Sequence, residues 1–216
     1  MISKQYIGVA NRSDGFSGVD GILGLGPAYL TQGTVSGMST VPTVSDSLFS
    51  QGQIPTEVLG ISYNPTTSTS SSNGELTFGG VDTNKYTGSI TYSQITTASP
   101  SRYYWGIQQS VTYGSSSANV LSTTSGIVDT GTTLILLASD AFNRYKTLTG
   151  ATVDTATGLL RLPSSSYSNL QSLFFIISGT KFELTPNAQI WPRNLNYYIG
   201  GSSGYIYLIV GDVSIG

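Results

Sequence analysis

The sequence contains neither cysteine nor histidine among its 216 residues. Without cysteine there is no disulfide, no thiol nucleophile and no thiolate metal ligand. Without histidine, Ser-His-Asp and Cys-His catalysis are excluded as normally built, and so are most zinc sites. Any catalysis must therefore use carboxylates, hydroxyls or the few lysines and arginines, and we predict no cofactor and no metal.

Charge is also scarce, with 9% charged residues and a net charge of -2. The nine basic residues are scattered singly along the chain, which argues against a nucleic-acid surface. Long hydrophobic runs are missing as well, because runs such as 173–177 are only the size of a strand. We therefore predict no nucleic-acid partner and no membrane partner. The first residues show no signal-peptide pattern.

What the sequence does have is glycine, serine, threonine and tyrosine between short apolar runs, which favours an all-β protein with short helices. Short helices are predicted at 43–51 and 139–148, the second with Ser139 as its N-cap. A Ser/Thr-rich loop is predicted at 66–73, and a hairpin turn at 178–180. Predicted strands cover 5–10, 22–25, 57–63, 75–78, 89–95, 104–113, 126–128, 173–177 and 181–184.

The most distinctive segment places Asp129 between two apolar runs, 126–128 and 134–137. These flanks predict a carboxylate that is at least partly buried, and a buried carboxylate is costly when ionised unless it is hydrogen-bonded. Threonine hydroxyls and backbone N–H groups of the following turn supply donors, and Gly131 permits the turn. The alternative is an aspartate that only caps its own turn, which is the commoner outcome for a bare Asp-Thr-Gly. The apolar flanks favour a functional carboxylate.

Five separated segments follow one another along the chain: Val19-Asp20-Gly21-Ile22-Leu23-Gly24-Leu25, Leu76-Thr77-Phe78-Gly79-Gly80-Val81-Asp82 with Tyr86-Thr87-Gly88-Ser89, Tyr104-Trp105-Gly106-Ile107, Ile127-Val128-Asp129-Thr130-Gly131-Thr132-Thr133, and Tyr207-Leu208-Ile209-Val210-Gly211-Asp212-Val213. In this order they resemble the pepsin-like aspartic protease family, and the resemblance extends over nearly the whole chain. The absence of cysteine and the hydroxyl-rich composition are similar to secreted fungal members.

The resemblance implies the family's bilobal all-β fold in incomplete form, with the rear of the N-terminal lobe and most of the C-terminal lobe. Residues 1–85 are expected to be the remnant of the N-terminal lobe with the inter-lobe strands. Residues 86–216 are expected to be the C-terminal lobe, lacking its last strands. The family's other Asp-Thr/Ser-Gly motif and its flap hairpin are expected upstream of Met1.

The resemblance also implies roles for individual residues. Asp129 would be one half of the catalytic pair. Thr130, Gly131 and Thr132 would support the active site, with Thr130 in the hydrogen-bonded lattice between the two active-site loops. Ile127, Thr133 and Tyr104 would contact the substrate. Asp20 and Asp212, beside the glycines of their strands, are expected to make structural hydrogen bonds.

The family mechanism needs two carboxylates that share one proton, and the sequence holds one Asp-Thr-Gly. The pairs Asp82-Thr83 and Asp154-Thr155 lack the glycine and the apolar frame. We therefore expect an aspartic endopeptidase that acts on polypeptides. The full-length protein is expected to be extracellular and monomeric, and the present chain is expected to be inactive alone. Asn11 begins a glycosylation sequon.

Two alternatives stay open. The chain could be a non-catalytic protein, binding or inert, that keeps a pepsin-like surface. It could also be a half-enzyme in which two copies each supply Asp129, although a chain that spans the lobe boundary would not close cleanly as a dimer.

Overall fold

A computed structural model describes residues 1–10, 12, 14 and 18–215. The sequon asparagine, Asn11, lies outside the described residues. The chain divides into two compact units, which are treated separately below. Unit 1 comprises Met1–Asn64, Asn73–Ser89 and Arg102–Trp105, and unit 2 comprises Pro65–Ser72, Ile90–Ser101 and Gly106–Gly216.

Strands dominate the described chain, and the two α-helices are short. The helices are α1 (Val44–Ser50) and α2 (Ser139–Thr149). The strands are β1 (Leu59–Tyr63), β2 (Gly74–Phe78), β3 (Gly106–Tyr113), β4 (Ala118–Ile127), β5 (Ile135–Leu137), β6 (Thr152–Val153), β7 (Leu160–Pro163), β8 (Leu173–Ile177), β9 (Thr180–Leu184), β10 (Tyr205–Leu208) and β11 (Val210–Asp212).

Helix α1 of unit 1 begins with a capping box formed by Thr43 and Asp46. The N–H of Thr43 donates to Asp46 Oδ2 at 2.6 Å, and the N–H of Asp46 donates to Thr43 Oγ1 at 3.4 Å. These bonds satisfy two backbone donors that a helix start otherwise leaves free. The predicted helix at 43–51 is confirmed. Strands β1 and β2 form an antiparallel pair, with Leu59 opposite Phe78.

Three predicted strands are wrong: 5–10, 22–25 and 89–95 have no strand assignment. Their β-branched and apolar residues fit a pleated surface, but a strand also needs a neighbour to accept its ladder of hydrogen bonds. Within the described residues these segments find no such neighbour. Their side chains are accordingly open to solvent, with Ile7 82% and Tyr92 84% exposed.

The main sheet of unit 2 has the order β4-β3-β8-β9, and every pair is antiparallel. Val111 on β3 faces both Leu121 and Phe175, so its fully buried side chain sits at the centre of the sheet. The turn between β8 and β9 contains Ser178 and Gly179 with φ values of 49° and 79°. Two consecutive positive φ values are the geometry of a tight hairpin, which confirms the predicted turn.

The remaining strands of unit 2 form two small sheets around a common core. Strand β7 pairs antiparallel with β10 and β6, and β11 pairs parallel with β5. Helix α2 and all three sheets of unit 2 contribute to this core, whose members at most 6% exposed include Val111, Val120, Leu137, Ala141, Phe142, Tyr145, Leu160, Leu173, Ile206, Leu208 and Val210.

Helix α2 confirms the second predicted helix but corrects its cap. The N-cap residue is Ala138, which makes no side-chain capping bond. Ser139 is the first helical residue, and its hydroxyl donates instead to Asp212 Oδ1 at 2.8 Å. The helix ends at Thr149, and Gly150 with its φ of 71° is the C-cap. Within the described ranges, no helix combines the length and apolar character that crossing a bilayer requires.

Candidate active site

The loop that carries Asp129 connects two strands of unit 2. Strand β4 ends at Ile127 and β5 begins at Ile135. The N–H of Ile135 donates to the carbonyl of Ile209 at 2.9 Å, and the parallel ladder places Leu136 opposite Gly211. The Asp129 loop therefore runs into a strand beside the apolar segment 209–211.

Two donors from the same turn hold the Asp129 carboxylate. The backbone N–H of Gly131 donates to Oδ1 at 2.9 Å, and the hydroxyl of Thr132 donates to Oδ2 at 2.5 Å. A Cβ atom added at Gly131 would lie 3.2 Å from Oδ1. A side chain at 131 would therefore crowd this carboxylate, which is a reason for glycine here.

These donors also set the electrostatics of the carboxylate. The Thr132 hydroxyl, followed by the Gly131 N–H, lowers the pKa of Asp129 below its usual value, against a weaker opposing effect of burial. Hydrogen bonds to a carboxylate favour its charged form. The two donors therefore favour the ionised form of Asp129.

The prediction of partial burial for Asp129 is wrong, because its side chain is exposed. That prediction rested on the apolar runs on both sides of Asp129. In the run before it, Ile127 is 42% and Val128 is 54% exposed. Apolar flanks bury a carboxylate only when another element covers them.

The other predicted site residues do not all contact Asp129. Thr130 and Thr133 are exposed, and among the described residues neither hydrogen-bonds to Asp129. Ile127 ends β4, opposite Gly106. Tyr104 is 38% exposed and belongs to unit 1.

Asp212 fixes the end of β11, which confirms its predicted structural hydrogen bonding. Its Oδ1 accepts from the N–H of Ser214 at 2.9 Å and from the hydroxyl of Ser139 at 2.8 Å. The Ser214 N–H is the main reason why the pKa of Asp212 lies below its usual value. Sequence reasoning missed Ser139 as the partner, because a serine before an apolar helix is typical of an N-cap.

The aspartates of the two other Asp-Thr pairs make structural contacts. Asp82 caps a 3-10 turn and accepts from the N–H of Asn84 at 2.9 Å. Asp154 is buried and pairs with Arg161 at 2.6 Å. Neither offers a free carboxylate for catalysis.

The Asp129 carboxylate is thus held by a threonine hydroxyl and a glycine N–H, on a loop that leads into a strand parallel to the Val210-Gly211 strand. The family profile described as "Eukaryotic aspartyl protease" matches residues 1–215. The chain belongs to this family.

The chain is also similar to individual proteins. The chain is 64% identical over 214 residues to polyporopepsin of Irpex lacteus, a match that covers 98% of this chain and 63% of that protein. It is 34% identical over 218 residues to rhizopuspepsin-1 of Rhizopus niveus, covering 99% of this chain and 52% of the relative. The crystal structure of the aspartic proteinase from Irpex lacteus matches with a TM-score of 0.95, 64% identity and coverage of 98% of this chain and 63% of that chain.

These matches confirm the predicted family and the predicted fold. The described chain is mostly β with short helices and matches the pepsin-like fold over nearly its whole length. It spans about half to two thirds of the length of the curated relatives named here, whose matched shares are 63% and 52%.

Proposed function

We propose that this chain is the part of an aspartic endopeptidase that supplies one of the two catalytic carboxylates, through Asp129. The observation that carries the proposal is the match of residues 1–215, which include Asp129-Thr130-Gly131, to the aspartyl protease family profile. The hydrogen bonds from Thr132 and Gly131 hold that carboxylate, but an aspartate that only caps its own turn would make the same local bonds.

The chemistry follows from two carboxylates that share one proton. The ionised carboxylate takes a proton from the bound water, and the protonated one donates a proton to the scissile carbonyl oxygen. The low pKa of Asp129, caused first by the Thr132 hydroxyl, favours its ionised form. The pair titrates as a unit, so a lone Asp129 lacks its acid partner and the 216 residues alone are inactive.

The remaining roles belong to the same proposal. Gly131 and Thr132 support the carboxylate, and Thr130 links the two active-site loops. Ile127, Thr133 and Tyr104 contact a polypeptide substrate. A division at 1–85 and 86–216, an extracellular location and a monomeric full-length protein complete the proposal, together with no cofactor and no metal.

The test compares peptide hydrolysis at acid pH by the chain alone and by a completed chain. The completed chain joins these residues to the part of Irpex lacteus polyporopepsin that has no counterpart here. We expect hydrolysis only from the completed chain, and we expect a statine-type inhibitor to block it. Inhibitor-sensitive turnover by the 216 residues alone at low protein concentration would refute the need for a second carboxylate.

A concentration series with the same substrate tests the half-enzyme alternative. Activity that rises with the square of chain concentration, with a dimer in solution, would favour two copies that each supply Asp129. A completed chain that folds but shows no hydrolysis would favour a non-catalytic protein.

A further inference from the structure

The connection between β1 and β2 is a run of hydroxyl side chains that the proposed proteolysis does not use. It reads Pro65-Thr66-Thr67-Ser68-Thr69-Ser70-Ser71-Ser72 and contains no charged and no large apolar residue. Residues 67–72 are all exposed and lie in neither helix nor strand. Proline-containing Ser/Thr-rich segments of this composition are typical of O-glycosylated regions.

The backbone of this loop is held while its side chains face solvent. The Asn194 side-chain amide donates to the carbonyl of Thr67 at 2.7 Å. Where the loop meets the strands, Asn64 and Asn73 exchange side-chain-to-backbone hydrogen bonds. These bonds tie the loop at its two ends and at Thr67, and the other hydrogen bonds given for residues 66–72 are local to the loop.

The hydroxyls of the loop fall into two groups. The hydroxyls of Thr66 and Ser68 accept from the N–H groups of Ser68 and Ser70 at 3.0 and 3.3 Å, which are local turn contacts. In the part of the chain that the structure describes, four exposed hydroxyls of the loop make no hydrogen bond: those of Thr67, Thr69, Ser71 and Ser72.

A second serine run offers a comparison within the same unit. Ser164, Ser165 and Ser166 also follow a proline, and the first two are exposed while Ser166 is half-buried, but all three lie in the 3-10 helix Ser164–Asn169. An enzyme that modifies a segment must enclose it in its own cleft. An irregular surface loop can change its conformation to fit such a cleft more readily than a helical turn can.

We propose that Thr67, Thr69, Ser71 and Ser72 are acceptors of O-linked sugars. In the transfer, a hydroxyl oxygen bonds to the anomeric carbon of a phosphate-activated sugar. The bond from that carbon to the phosphate oxygen breaks, the phosphate carrier leaves with the electron pair, and a base of the transferase takes the hydroxyl proton. The inference rests on the extracellular location in the proposed function, because the modification accompanies secretion.

The experiment is a peptide map of the chain secreted from a fungal host behind a leader supplied by that host. Chymotryptic cleavage after Tyr63 and Phe78 isolates the loop, and mass spectrometry with electron-transfer fragmentation locates each modification. We expect one or more hexoses on residues 67–72 and none on Ser164–Ser166. The combined variant T67A/T69A/S71A/S72A should lose the hexoses, and S164A/S165A/S166A should keep them.

Three results would overturn the inference: a bare loop peptide from secreted chain, phosphate in place of hexose, or equal sugar on both serine runs. The readout is a mass, so it does not depend on peptide hydrolysis. A failure of the Asp129 proposal would leave this result unchanged, and a bare loop would leave the Asp129 proposal unchanged.

Discussion

At the scale of single residues, the central feature is the Asp129 carboxylate with its two donors. The threonine hydroxyl and the glycine N–H come from within three residues of the aspartate, so local sequence alone builds this contact. The carboxylate itself is exposed. Its electrostatics are therefore governed by hydrogen bonds rather than by burial.

Replacement of Thr132 by valine should raise the pKa of Asp129, because the hydroxyl is the main group that favours the charged form. Carboxyl carbon chemical shifts of Asp129, followed by NMR across an acid titration, measure the change directly. Thr133→Val is the matched control and should leave this pKa unaltered. Equal titration curves for Thr132→Val and the parent chain would contradict the assigned cause.

A buried polar pair links α2 to the loop after β9. Tyr145 and Gln189 are both fully buried, and the tyrosine hydroxyl donates to Gln189 Oε1 at 2.8 Å. Tyr145→Phe leaves that oxygen without its donor, so we expect a loss of about 1–3 kcal/mol in the free energy of unfolding. Urea denaturation followed by circular dichroism measures it.

The exposed Tyr198 provides the control for that substitution. Tyr198→Phe should change stability by less than about 0.5 kcal/mol, since surface substitutions away from special features usually do. If both phenylalanine variants unfolded at the same urea concentration as the parent, the buried pair would carry no such stabilising role.

At the scale of the elements, the end of α2 depends on a left-handed residue. Gly150 has a φ of 71° and open space where a Cβ would be, so an added methyl group meets strain but no clash. Gly150→Ala should therefore cost about 1–2 kcal/mol. Gly204 also has open space but no positive φ. Gly204→Ala should cost clearly less in the same thermal unfolding assay, and a larger loss at Gly204 would contradict the argument.

Elements that depend on local signals were predictable from sequence. The capping box of α1 lies within four residues, and the β8–β9 hairpin follows from a Ser-Gly turn between two apolar runs. Segments 5–10, 22–25 and 89–95 were wrong because their pattern fits a strand while their pairing partner is not encoded nearby. The burial of Asp129 failed for the same reason, since cover depends on distant elements.

At the scale of the whole molecule, few charged side chains are available to make stability depend on pH. Asp82, Asp129, Asp140 and Asp212 have pKa values below their usual 3.8, because backbone or side-chain donors stabilise their charged forms. Such groups stabilise the fold above the pKa of the unfolded chain, and that contribution is lost as pH falls through the folded pKa. Glu57 contributes in the opposite direction, because its hydrogen bond with Asp46 raises the pKa of Glu57.

We therefore expect the free energy of unfolding to decrease on acidification from about pH 5 to about pH 2, with a shallow slope because these carboxylates are exposed. Urea midpoints across this range measure it. A midpoint that rises steadily toward low pH would contradict the balance of carboxylates described above.

Family membership was predictable because five separated segments keep their order, and this order survives errors in individual strands.

The most direct test of the central claim is peptide hydrolysis at acid pH by the completed chain with Asp129→Asn. The account predicts a loss of about 10²- to 10⁴-fold or more, while Asp140→Asn, on the exposed surface of α2, stays near the parent rate. An Asp129→Asn protein that folds and hydrolyses peptide at the parent rate would contradict it.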